Sequence, residues 1–421
     1  MVFHPALRIS GESGYHARPH VPSKHSLNRA RPSNLRLVLI LGALSAIGPV
    51  SIDMYLPALP MLEADLGASK AAIQQTLSAY LIGMAFGQML HGPISDRLGR
   101  KMPLVIALAL YAVAALGCAL AEGAASLASV RVLQGLAGAV GAVLSRAVAR
   151  DCRAGSELVR MLSLVMLVSG LAPTLAPLLG GWTLFFGSWR LLFLIQVIYG
   201  IMLIAAVVWG LPETNPPANR SRGGFGIFFR GLMEIACTRQ FLAYAIPLGM
   251  TGGILFAYIV SAPFVFIRHF EVAAHSLGWF LGCNALGIML GAQISARLVR
   301  RRPARRILAG VLLVQAGASL GLLALAYSDA GLWATAISLF VMAAAAGFVF
   351  PLATAEAMIP FPRLAGSASA VLGLLHGLSG AAGTFLVGHV PGTGALPMAI
   401  VMSGFACLAL LCFRQILGRR A

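Results

Sequence analysis

Residues 77–103 read LSAYLIGMAFGQMLHGPISDRLGRKMP, and residues 277–303, 200 positions later, read LGWFLGCNALGIMLGAQISARLVRRRP. Twelve of the 27 aligned positions are identical without a gap, among them Leu77/Leu277, Gly87/Gly287, Ser95/Ser295, Arg97/Arg297 and Pro103/Pro303. A composition this apolar would give about two or three identities by chance. The chain therefore holds two related halves in the same order. Each copy is an apolar run ending in a short basic loop. Repeats of this kind build two helical bundles side by side in a membrane.

The rest of the chain agrees. Of its 421 residues, 59% are hydrophobic and 10% charged, with a mean hydropathy of +0.86. Soluble domains carry about 45–50% and about 25% respectively. A soluble globular enzyme and a disordered chain are excluded. An outer-membrane barrel alternates apolar and polar residues, whereas this chain has long unbroken apolar runs. Twelve runs approach the roughly 20 residues a helix needs to cross a bilayer. They cover 35–60, 72–95, 102–121, 126–149, 158–182 and 190–211, then 240–267, 276–299, 305–327, 331–357, 365–388 and 395–416. The expected fold is an all-α membrane protein of twelve transmembrane helices in two six-helix bundles. Its expected parts are a tail (1–34), a first bundle (35–211), a linker (212–239) and a second bundle (240–421).

The formal charge is +18, but the basic residues sit in short loops, which argues against a nucleic-acid partner. Of 31 Lys and Arg, 27 fall on the side of the tail, the even-to-odd loops and the C-terminus. Three fall on the other side: Lys70, Arg190 and Arg268. The positive-inside rule puts both termini in the cytoplasm. The tail has no apolar core for a signal peptide. Its four scattered histidines, like the six cysteines, have no metal-ligand spacing, so no metal is expected. The linker carries Pro212, Pro216, Pro217 and four arginines, and its 225–235 stretch is amphipathic enough to lie on a membrane surface.

The loop Gly92-Pro-Ile-Ser-Asp96-Arg97-Leu-Gly99-Arg100-Lys101 resembles G-x-x-x-D-R-x-G-R-[KR], the signature of the major facilitator superfamily. Gly92 permits close packing and Gly99 a tight turn. Asp96 suits a helix N-terminus, and Arg97 and Arg100 suit an acid such as Asp151. The resemblance implies a latch holding one conformation. In the second half Ala296 and Val299 replace Asp96 and Gly99, so that copy keeps only the charge.

The first span ends Asp53-Met-Tyr55-Leu-Pro57-Ala-Leu-Pro60, which resembles the D-x-Y-L-P-x-x-P hallmark of the Bcr/CflA drug-resistance branch. The fourth reads Arg131-Val-Leu-Gln134-Gly135 and later Arg146-Ala-Val-Ala-Arg150-Asp151, similar to the R-x-x-Q-G and R-A-x-x-R-D patterns of the same proteins. Ionisable groups inside a membrane are costly and mark function by default. At the helical rise, Asp53 lies roughly 10 Å and Arg131 roughly 8 Å below the outer face. The two are expected to interact, directly or through water, and to serve proton coupling; a structural ion pair is the alternative.

In the fifth span, Pro173, Pro177, Gly180 and Gly181 lie in or beside an A-P-x-x-G-G run that resembles the antiporter motif, which implies export. The eleventh begins Ala365-Gly-Ser-Ala-Ser-Ala370, similar to another segment of this branch, and continues with Gly373, Gly377, Gly380 and Gly383. His376 among them reads best as packing, and Glu356 as interfacial. Candidate cavity residues are Tyr55, Tyr80, Gln88, Gln134, Gln196, Tyr258, Asn284 and Gln315. The chain lacks Walker A, HExxH and GxSxG patterns. The resemblance implies a monomeric, proton-coupled exporter of drug-like molecules in a bacterial inner membrane, with protons as the coupling ion and no cofactor. A dedicated exporter of a sugar or natural product, and a non-transporting scaffold or sensor, are the other readings.

Overall fold

The computed structural model describes residues 34–220, 225–273, 276–328, 331–361 and 365–418. The tail and Arg363 lie outside them. The first bundle holds α1 (Leu35–Asp65), α2 (Lys70–Leu98), α3 (Lys101–Ala119), α4 (Ala124–Cys152), α5 (Gly155–Gly170 continued by Ala172–Thr183) and α6 (Arg190–Gly210). A linker helix, Phe225–Ala236, follows. The second bundle holds α7 (Arg239–Ala262, ending in a π turn, Pro263–His269), α8 (Leu277–Leu298), α9 (Ala304–Tyr327), α10 (Leu332–Met358), α11 (Ala365–His389) and α12 (Leu396–Gly418).

Eleven of the twelve are long and apolar enough to cross a membrane. The exception is α2, whose 29 residues suffice in length. Lys70, Gln74, Gln75, Gln88, His91, Asp96 and Arg97 lower its hydropathy. It can afford them because it lies between the two bundles instead of facing lipid.

The first helix is not one rod. Proline has no N–H and its ring crowds the carbonyl four residues back. Pro49 is four residues after Ser45 and Pro57 four after Asp53, and helical segments end at Ser45 and Asp53. Pro173 likewise sits in the first turn after the break in α5.

Bundle packing repeats with the sequence. Gly87 of α2 meets the Leu136 carbonyl and Gly135 of α4 meets the Tyr80 carbonyl so closely that no Cβ fits. Gly291 of α8 against Ala344 and Gly347 of α10 against Ile288 do the same in the second half. Small residues allow such backbone approach, which drives association where lipid removes the hydrophobic force. Outside, Trp182, Phe185, Phe186, Trp279, Tyr327 and Trp333 are exposed near one end of their helices, as an aromatic belt at a membrane boundary requires.

The halves meet through α2 with α11 and α5 with α8. They close at the end remote from the 98–101 loop. There the Ser78 and Thr384 hydroxyls are 2.5 Å apart, Gln75 approaches His389 at 3.4 Å, and Arg268 pairs with Glu63 at 2.8 Å. Gly278 and Gly282 pack on Leu178 and Thr174. Toward the 98–101 loop the halves part, leaving a cavity of about 350 Å³ bordered by α2, α4 and α11.

Candidate functional site

Asp53 is the last residue of its helical segment. It is buried, and among the described residues no hydrogen bond or ion pair reaches its carboxyl. It lies within electrostatic reach of Tyr80 in its own bundle and Tyr258 in the other. The Tyr258 hydroxyl accepts from Asn284 at 2.5 Å. The neighbouring Met54 carbonyl fills the space where Gly180 of α5 would carry a Cβ. Glycine at 180 thus lets α5 lie directly on the break that carries Asp53.

Arg131 is fully buried in the first bundle. Its Nη1 donates to the Ser51 carbonyl at 3.0 Å and to Gln134 Oε1 at 2.9 Å. The guanidinium lies 4.5 Å from the Tyr55 ring centre, 4.7 Å from Tyr80 and 5.6 Å from Phe193. Such faces stabilise a desolvated cation. Among the described residues, no hydrogen bond reaches its Nε and Nη2. Gln134 donates to Gln196 at 2.7 Å, and the Tyr55 and Thr76 hydroxyls are 2.8 Å apart. Of the expected interaction between Arg131 and Asp53, directly or through water, the direct contact is not made in this conformation. The arginine instead holds the backbone two residues before Asp53.

The sequence candidates fall into two groups. Tyr55, Tyr80, Gln134 and Gln196 surround Arg131. Tyr258, Asn284 and Gln315 lie in the second bundle, where Gln315 accepts from Thr251 at 3.2 Å. The cavity is lined by neither group but by the remaining candidate, Gln88, with Met89, Val143, Arg146, Arg150, Ser367 and Ser369 among its other walls. His376 packs edge-on against Phe256 and Phe350. Glu356 lies beside Tyr244 and Arg305.

The latch residues converge. Arg100 donates to Asp151 at 2.9 Å, to Ser95 at 2.8 Å and to Asp96. Gly99 has φ +96°, which favours glycine. Asp96 borders the cavity together with Gly366 and Ser367 at the start of α11. Gly92 borders it too, and Arg97 occupies the last turn of α2.

One residue escaped the sequence reading. Glu213 accepts from the backbone N–H groups of Arg100 at 2.8 Å and Lys101 at 3.1 Å, so it caps α3. The available signal was a lone acid between Pro212 and Pro216 in an arginine-rich linker. Burial works against its ionisation, but the N–H groups of Arg100, Asn215 and Lys101 and the Arg220 charge prevail and hold its pKa below the ordinary 4.5. Such a carboxylate adds stability above that pH, and the contribution fades as pH falls through the lowered value. Glu213→Gln should cost about 1 kcal/mol at neutral pH, the low side for a charged acceptor because water screens one side of it. Thermal unfolding would show a lower midpoint for the variant, and a gap from the parent that narrows in acid.

The sequence profile of the Major Facilitator Superfamily matches residues 40–384. An uncharacterized MFS-type transporter, YdgK of Bacillus subtilis, is 34% identical over 92% of this chain and 96% of its own length. A bicyclomycin resistance protein homolog of Haemophilus influenzae is 29% identical over 92% and 97%. Multidrug resistance protein D of Escherichia coli is 25% identical over 92% and 98%. Among solved structures, the nucleoside transporter NupG superposes with a TM-score of 0.74 at 13% identity, covering 91% of this chain and 99% of its own. A D-xylose–proton symporter superposes at 0.68 and 15%, covering 91% and 97%. The last two establish the fold alone.

Proposed function

The chain belongs to the Major Facilitator Superfamily and to its Bcr/CflA drug-resistance branch, and we propose that this membrane transporter exports small apolar or amphipathic drugs in exchange for protons. The observation that carries the proposal is the placement of Asp53. Among the described residues it is an unpartnered carboxyl at a helix break, buried where one bundle meets Tyr258 of the other. Rocking of the bundles would change what faces this group, so it can exchange its proton with either side in turn. Arg131 holds the Ser51 carbonyl and keeps the break in register. The basic loops and both termini face the cytoplasm of a bacterial inner membrane, and the protein works as a monomer. The cavity then opens inward and the Ser78–Thr384 seam closes the outside.

The test is resistance and efflux in a pump-deficient bacterium, with phenicols, bicyclomycin-like drugs and cationic dyes, with and without an uncoupler. Resistance to several unrelated compounds that the uncoupler removes is the expected result. Resistance to none, with the protein present in the membrane, would overturn the multidrug reading in favour of one dedicated metabolite.

A further inference from the structure

The cavity holds charges that neither the latch nor the proton step uses. Its lining includes Arg100, Arg146, Arg150, Asp96 and Asp151. Both aspartates are engaged by Arg100, and Asp151 also accepts from Thr214 at 3.1 Å. Arg146 and Arg150 have no such counter-charge. Their Nε atoms donate to carbonyls of their own helix, Ala142 at 2.9 Å and Arg146 at 3.3 Å. Among the described residues no carboxylate is within ion-pair distance of either. One turn apart on α4, the two cations repel each other.

The two lie in the last two turns of α4, at the end whose charges the positive-inside rule counts. The face they share with Val143 and Ala147 borders the cavity, which that rule does not require. Ser367 and Ser369 of α11 line the same space, with Gln88 of α2. At about 350 Å³ it falls in the range of small-molecule sites, about 300–1,000 Å³. Paired guanidinium ends present a planar set of donors suited to an oxyanion.

We propose that Arg146 and Arg150 form an anion-recognition site at the mouth of the cavity, which takes the carboxylate or phosphate group of a molecule entering there. The group can belong to a carboxylate-bearing cargo or to an anionic phospholipid of the adjacent leaflet. The site deepens the exporter reading and rests on it for its biological role, but its binding chemistry involves neither protons nor turnover.

The experiment uses the purified full-length protein. Fluorescence titration compares 1-naphthoate with the uncharged 1-naphthamide, at low and high salt. Thermal unfolding is followed in nanodiscs of phosphatidylethanolamine alone and of phosphatidylethanolamine with phosphatidylglycerol. Naphthoate should bind at least about tenfold more tightly than the amide, as expected for hydrogen bonds to a charged group. The preference should shrink with salt and vanish in Arg146→Gln/Arg150→Gln. Stabilisation by phosphatidylglycerol, lost in the same variant and without a naphthoate preference, would identify the lipid as the source of the oxyanion. Equal binding of the two probes with no lipid effect, or effects unchanged in a variant that elutes and unfolds as a folded protein, would overturn the proposal. Loss of efflux in cells with naphthoate binding intact would instead refute the exporter reading.

Discussion

Asp53→Asn should abolish proton-driven efflux while the protein still inserts and folds. Asparagine keeps the size and shape of the side chain but cannot carry a proton. Among the described residues the buried carboxyl has no partner, so the exchange breaks no ion pair there and leaves no orphaned cation. One proton moving inward gains about 2.3 kcal/mol at 100 mV, which supports a drug gradient of up to about 50-fold. In the variant that gradient should fall to unity, because nothing couples the two flows. Drug-for-drug exchange across vesicles, which needs only rocking, should survive. Efflux by the variant that an uncoupler still stops would sink the assignment. Loss of exchange as well as efflux would place Asp53 in cargo binding or in the motion itself.

The second large effect concerns the seam. With the hydroxyls of Ser78 and Thr384 2.5 Å apart, cysteines at these positions should bring their sulfurs within reach of the roughly 2.05 Å bond. Ser78→Cys/Thr384→Cys, in a chain freed of its six native cysteines, should cross-link under mild oxidation. Transport should then stop and return with a reductant. The reason is mechanical: α2 and α11 belong to different bundles, and a bond between them at this level forbids outward opening. Full transport by quantitatively cross-linked protein would show that these helices need not separate, and the proposed cycle would fail.

The long elements were legible in the sequence because they depend on one variable, the length of an apolar run. The repeat and the Gly99 turn were legible because short motifs act over short distances, and the Arg100–Asp151 pair, 51 positions apart, because each end lies in a pattern of the resembled family. The linker helix, Phe225–Ala236, coincides with the stretch that reads as amphipathic in the sequence. What depends on rotation about a helix axis was not legible. Asp53 and Arg131 were expected at similar depth, yet depth says nothing of azimuth, and Arg131 turns to the Ser51 carbonyl. The same uncertainty put Tyr55, Gln134 and Gln196 forward as cavity residues, although they pack inside one bundle around the arginine. The breaks in the first helix were available in principle, since Pro49 and Pro57 each disable a carbonyl four residues earlier. The cap that Glu213 supplies to α3 joins residues more than a hundred positions apart, and no local pattern announces that.

The polar contacts of the seam at the end remote from the 98–101 loop are Ser78 with Thr384, Gln75 with His389 and Glu63 with Arg268. Water can replace every one of these contacts when the faces part. A net loss of about 1 kcal/mol for each gives roughly 3 kcal/mol for the three polar contacts together, beside the apolar packing of Gly278 and Gly282. That is close to the work available from a single ion falling through a typical membrane voltage, about 2.3 kcal/mol per 100 mV. A greasy plug of the same area would grip harder and slow every turnover. In the proposed cycle these contacts thus have the strength of a catch that one proton step can release, with no separate source of force needed to open it.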